Sequence, residues 1–192
     1  MEDHNIIYKN ENFLSSIQSF LWNITFPGIV LHELAHVFAA AITFTKIKEV
    51  ELLKWDKKTG LFCGRIDVET ESSFQALIIG ISPFMILNFL GIMFLSLAKT
   101  SQGIMPAVFL YFAYCSVKAS FPSSGDVGYI FSELNRSIHK PSNWLSKLIK
   151  YVLLIPFIII GIFWAILLSI TNIIPLVEEM YFVLLLFLLG FI

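Results

Sequence analysis

Charge is scarce along this chain. Asp, Glu, Lys and Arg make up 14% of its 192 residues, against roughly a quarter in a soluble domain. The 57% that are apolar come in blocks too long for a globular core, several of them near the ~20 residues that cross a bilayer. A net charge of −1, with no basic tail or aromatic-interleaved basic stripe, excludes a nucleic-acid partner. Cysteine is equally rare. Cys63 and Cys115 supply neither a disulfide framework nor the close pairs of a cysteine zinc site, and read as two unpaired thiols. Repeats and low-complexity tracts are missing. The polar, mixed-charge stretch from Met1 to Asn12 lacks the pattern of a cleaved signal peptide. With a mean hydropathy of +0.78, residues 1–192 read as a single integral membrane domain.

Five hydrophobic segments are present. The first, Phe13 to Phe44, is too long for one straight span, and Pro27-Gly28 is expected to break it into a lead-in helix and a main helix. The others are Phe74 to Ala98, Ile104 to Phe121, Ile149 to Ile170 and Ile173 to Ile192, the last two joined by a tight turn at Asn172 to Pro175. Residues 45–73 alternate on both sides of Lys58-Thr59-Gly60, which predicts a β-hairpin. Pro122-Ser123-Ser124-Gly125-Asp126 opens residues 122–148, where a serine is expected to cap a short helix through about Ile138. The fold class is therefore an all-α membrane protein of about five transmembrane helices, with one small β-hairpin after the first span.

Orientation follows from lysine and arginine in short loops. Lys46, Lys48, Lys54, Lys57, Lys58 and Arg65 lie in the hairpin loop, and Lys118, Arg136, Lys140, Lys147 and Lys150 in or beside the second. The remaining connections hold only Lys9 and Lys99. Both basic loops are thus expected in the cytoplasm, the N-terminus outside and the C-terminus inside. Glu178 and Glu179 then fall near the outer face. Trp22, Trp55, Trp144 and Tyr151 read as interfacial anchors, and Lys118 as a snorkelling lysine. His4 and His139 read as plain polar residues, and the many phenylalanines as packing.

The chemistry lies in His32-Glu33-Leu34-Ala35-His36, inside the first segment. Histidines four apart stack on one helical face and can bind one Zn²⁺, with Glu33 as general base toward a zinc-activated water. Ionisable residues at membrane depth cost several kcal/mol and mark an interior functional site. The stripe continues through Ala39, Ala40 and Thr43, small residues that let a neighbouring helix approach. Zinc needs a third protein ligand. Glu49, Glu51, Asp67, Glu69 and Glu71 are interspersed with lysines and read as a solvated surface. Asp126 follows the third span, at the edge where the histidine helix also ends. It is either a helix cap or the missing ligand, and the topology favours the ligand.

These residues resemble the site-2 protease family of intramembrane zinc metalloproteases, over roughly residues 20–130. That family carries His-Glu-x-x-His in one span and an aspartate ligand some two spans later. The resemblance implies His32, His36 and Asp126 as metal ligands and Glu33 as the catalytic residue. It implies a three-span core at 13–130, leaving 149–192 as two accessory spans. Gly80-Ile81-Ser82-Pro83 followed by Asn88 is similar to the family's Gly-Pro…Asn signature, which makes Asn88 a candidate substrate-binding residue. Residues 45–73 are similar to its membrane-associated hairpin. The family's Asn-x-x-Pro lead into Leu-Asp-Gly is not kept, since Gly125 precedes Asp126 here and no asparagine stands before it.

The implied activity is hydrolysis of membrane-embedded protein segments near the cytosolic face, with Zn²⁺ as cofactor. The partners are the bilayer and a transmembrane protein substrate, and a homo-oligomer or a regulatory membrane partner is left open. An exposed hairpin edge can hold an extended substrate by strand addition. Another protease chemistry, prenyl-protein processing, shares the zinc motif but takes a glutamate as third ligand. The non-enzymatic alternative is a multi-span membrane protein or metal carrier retaining the zinc site, for which Glu33 has no use.

Overall fold

The computed structural model describes residues 13–57, 59–139 and 177–191, with scattered helical positions between 155 and 170. The described chain is mostly helical, with one two-stranded antiparallel sheet. The expectations for His4, Trp144, Tyr151, the turn at Asn172 to Pro175 and much of the fourth segment lie outside the described residues.

Helices α1 (Phe13–Ile24) and α2 (Phe26–Ile42) divide the first apolar segment. The break falls at Thr25, ahead of the expected Pro27-Gly28. Pro27 instead sits in the first turn of α2, where its missing N–H costs no helical bond. At its other end α2 closes with paired bonds, Thr45 N–H to Ala40 O at 2.8 Å and Phe44 N–H to Ala41 O at 3.2 Å. That closure puts Phe44 at φ 54°, a left-handed conformation usually left to glycine. It turns the chain sharply into the hairpin.

Strands β1 (Lys46–Asp56) and β2 (Leu61–Glu69) pair from Lys46↔Glu69 to Asp56↔Leu61, with two irregularities in the register. Gly60 supplies the turn at φ 67°. The hairpin folds back along α2, so that its tip meets the end of α1. There the Trp22 indole donates to Phe62 O at 2.8 Å, and the Asn23 amide donates to Gly60 O and accepts from Phe62 N–H. Trp22, expected only as an interfacial anchor, thus clamps the hairpin tip.

Helix α3 (Ser73–Thr100) starts with a capping box between Ser72 and Gln75. The Gln75 side-chain amide also donates to Thr43 O at 3.0 Å, tying the end of α2 to the start of α3. Residues 74–100 of α3 form, among the described residues, the one helix long and apolar enough to cross a membrane, while α2 and α4 (Met105–Ala119) are shorter apolar helices. Short connections make α3 and α4 antiparallel neighbours. Ala39 and Ala40 of α2 pack on Ile79 of α3, and Ala35 packs with Leu87 and Ala119, so the small-residue stripe does admit close neighbours. Helix α5 (Ser124–His139) packs Val127 and Ile130 on Leu77, with Ile158, Ile160, Ala165 and Leu167 against the same cluster.

Helix α6 (Val177–Leu188) corrects two expectations. Its first turn lies at the C-terminal end of α4, where Glu178 and Glu179 both pair with Lys118. Its last turn reaches the end of α3, where Lys99 donates to Leu189 O and lies 5.1 Å from the Phe191 ring centroid. The helix therefore runs parallel to α3, opposite to the direction that even alternation of five spans predicts. Nor does Lys118 snorkel. It is 3% exposed, because two carboxylates meet it inside the bundle.

Candidate metal centre

His32 and His36 lie one turn apart on the inner face of α2, their ring centroids 4.8 Å apart and their Nε2 atoms 3.1 Å apart. Asp126, in the first turn of α5, points one carboxylate oxygen at each ring. Oδ1 is 2.9 Å from His36 Nε2, and Oδ2 is 3.3 Å from His32 Nε2. All three side chains are buried.

The rings are aimed by their other nitrogens. His32 Nδ1 donates to Ala119 O at 2.7 Å, and His36 Nδ1 donates to Ile79 O at 2.8 Å. Both acceptors are carbonyls that helix geometry leaves without a partner. Ala119 is the last residue of α4, and a helix's final carbonyls have no N–H four residues on. Ile79 lies inside α3, but the residue four positions on is Pro83, which has no N–H to give. The Ser82 hydroxyl completes that gap, 2.7 Å from Ile79 O and 3.1 Å from Ala35 O. With both Nδ1 atoms protonated, both Nε2 lone pairs face inward, the arrangement second-partner carbonyls impose on metal-binding histidines.

Asp126 is fixed as firmly. Its Oδ2 accepts from Ser123 N–H at 2.7 Å, while its own N–H donates to Ser123 Oγ at 3.1 Å. This is a reciprocal cap across three residues, with aspartate in the place usually held by glutamate. Capping and facing the histidines, alternatives in the sequence, are both realised by one side chain.

Four acceptor atoms with inward lone pairs repel one another unless a cation or a proton lies between them. Metal–ligand bonds of 2.0–2.1 Å in a tetrahedral site separate donors by about 3.3 Å. The three contacts of 2.9, 3.1 and 3.3 Å are close to that spacing. His32, His36 and Asp126 can thus hold a metal ion, and two imidazoles and a carboxylate are a donor set that zinc and other divalent transition metals accept.

Glu33 sits beside this cluster, 8% exposed. Gly64 of β2 lies against it so closely that a Cβ there would collide with the Glu33 carboxyl. A cavity of about 370 Å³ opens beside the cluster, lined by Glu33, His36, Asp126, Gly80, Tyr129 and residues 64–68. Alternate residues of a strand point to opposite faces, so five consecutive lining residues mean that the cavity runs along the edge of β2 that is unpaired among the described residues. The Tyr129 hydroxyl donates to Thr70 Oγ1 at 2.9 Å, joining α5 to the end of the strand. Burial raises the Tyr129 phenol above its ordinary value, so it remains a donor at neutral pH.

The other candidates are placed as follows. Asn88 lies away from this cavity. Its amide donates to Phe84 O at 2.7 Å, and its oxygen accepts from Tyr181 of α6 at 2.9 Å. Glu51 and Glu69 form exposed pairs with Lys54, Lys46 and Lys48, as a solvated surface does, whereas Asp67 lines the cavity. Cys63 and Cys115 are free thiols. Pro83 was legible as a proline inside an apolar run. Ser123 is one of the serines expected to cap α5, whereas Gly64 and Tyr129 carry no mark that sequence pattern singles out.

No family model, no curated protein and no solved structure matches the chain.

Metal analysis of the purified protein is expected to find zinc in the wild type and its loss in His32→Ala, His36→Ala and Asp126→Ala. Pro83→Ala restores an N–H that competes for Ile79 O. Loss of such a partner lowers metal affinity roughly 10- to 100-fold, and a competition titration against a chromophoric chelator measures it. Unchanged affinity would show that His36 does not depend on the vacated carbonyl.

Proposed function

We propose that this chain is a multi-pass intramembrane zinc metalloprotease of the site-2 protease kind, cleaving membrane-embedded protein segments near the cytosolic face. The observation that carries the reading is the convergence of His32, His36 and Asp126 from two helices, with Glu33 confined beside them next to an open strand edge.

The membrane setting draws support from α3, whose residues 74–100 include an 18-residue window with a mean hydropathy of 2.2. Large apolar side chains face outward around the bundle, among them Phe38, Met85, Phe89, Met180 and Phe187. Ile79, which takes His36, lies about 9 Å along α3 from its first residue at ~1.5 Å per residue, so the cluster sits inside one end of the apolar bundle. That end carries the basic hairpin, which supports reading it as the cytoplasmic end. The C-terminus, at the Lys99 end of α3, then faces the opposite side.

Zinc in this cluster supplies a water acidified to near neutral pH and a Lewis acid for a carbonyl oxygen. The chain's own residues do the rest. Glu33 accepts the proton from water and returns it to the departing nitrogen. The bundle around it excludes bulk solvent, which strengthens each electrostatic contact. The free edge of β2 offers main-chain N–H and C=O groups to an extended substrate, which need no sequence match. Helices bond their own backbone, so a transmembrane segment must unwind locally to take that edge.

Full-length protein reconstituted in liposomes with a panel of transmembrane peptides tests this, with products read by mass spectrometry. Glu33→Gln is expected to keep its zinc and lose roughly 10²–10⁴ in cleavage rate, the span of a general base; undiminished cleavage would remove the protease reading. Proline at Ile66 takes one N–H from the strand and is expected to slow turnover. Equal rates would exclude strand addition.

A further inference from the structure

A second cavity, of about 190 Å³, lies across Glu33 from the first. Glu33, Gly64 and Ser123 line both, so the two are halves of one trough that passes the metal cluster. The second half is walled by Trp22, Ile29 and Phe121, and is lined as well by His32, Lys118 and Glu178. Its charge is uneven. Lys118 Nζ lies 3.2 Å from Glu178 Oε2 and also pairs with Glu179 Oε1. Glu179 accepts in addition from the Tyr114 hydroxyl at 3.4 Å. Two carboxylates thus share one ammonium, and of the two Glu178 is the one that lines the cavity.

Direction along the trough follows from the strand. Antiparallel pairing is the more stable kind, so a substrate on the β2 edge runs from Val68 toward Gly64. Past Gly64 it meets Cys63, which lines the second half. The residues C-terminal to the cleaved bond therefore lie there. Hydrolysis adds water across the C–N bond: hydroxyl goes to the carbonyl carbon, the C–N electron pair stays on nitrogen, and protons complete an ammonium. The carbonyl side leaves as a carboxylate. A parallel substrate would put that new carboxylate against Glu178, where like charges repel, so strand geometry and charge select the same direction.

We propose that this second cavity is the subsite for the residues following the cleaved bond, and that Glu178, held by Lys118, receives the new ammonium. The proposal rests on the peptidase reading above. Its ligand class is a peptide with a free N-terminus and a small or apolar first side chain. Glu178 is also a residue that ties a C-terminal helix outside the three-span core into the site.

Calorimetry on the zinc-loaded full chain in detergent micelles tests it, with leucyl-alanine amide and its N-acetylated form as probes. The free amine is expected to bind about tenfold tighter, the size of one charge-assisted hydrogen bond. Glu178→Gln is expected to abolish that preference with zinc content unchanged, and Glu178→Asp to retain part of it. Equal binding of the two probes to wild type overturns the proposal. So does a preference that survives in Glu178→Gln, since the amine would then be bound elsewhere, the metal included. Both readouts are of binding alone. A Glu178-dependent preference in a protein whose Glu33→Gln variant cleaves as well as wild type would leave the amine site standing and sink the peptidase reading.

Discussion

Two backbone carbonyls without helical partners, those of Ile79 and Ala119, govern the geometry of the His32, His36 and Asp126 cluster. One is vacant because Pro83 has no N–H, the other because α4 ends. Each takes one imidazole of α2, so the histidine helix is held between α3 and α4 by two ring nitrogens. The same two bonds decide the tautomer and send both Nε2 atoms to one point. Asp126 then completes the set because the chain leaves α4 at that level and starts α5 there. Remove either carbonyl and the ring loses its reason to face the aspartate.

A polar cluster in an apolar bundle persists when every member has a partner. Here the accounting is close to complete. The imidazoles bond to backbone, Asp126 to Ser123, and Ser82 fills the gap that Pro83 opens. The second charged cluster follows the same rule, with Lys118 shared by Glu178 and Glu179. Removing one member of such a buried set costs about 3–5 kcal/mol, which is reason enough for α6 to stay docked. The hairpin contributes by absence, since the missing side chain at Gly64 leaves room for the Glu33 carboxyl.

Much of this was legible in the chain. The hairpin at residues 45–73, the helices near 74–98 and 104–121, and the serine-capped helix from 124 follow from alternation, apolar runs and turn residues. His32, Glu33 and His36 were readable from spacing, and Asp126 from its place after the third apolar segment. A C-terminal helix within Ile173 to Ile192 was legible too, but its direction was not. Lysine counts place loops, and a loop without lysines, such as the one before Glu178, gives them nothing to weigh; the ion pairs to Lys118 are tertiary. Asn88 matched a pattern of residues but bonds within α3 and to Tyr181, because a motif fixes identity and not the direction a side chain takes. Gly64 escaped notice since its role exists only once β2 lies over α2.

The three residues of the cluster come from well-separated parts of the sequence. His36 leaves the ribosome about 90 positions before Asp126, a delay of roughly 5–18 s at ordinary synthesis rates. Through that interval α2 carries two histidines with no third ligand, and the Ala119 carbonyl that orients His32 arrives only seven residues before the aspartate. A nascent chain therefore holds no finished centre until its core helices are made and docked. Assembly of the His32, His36 and Asp126 cluster and completion of the bundle become a single event.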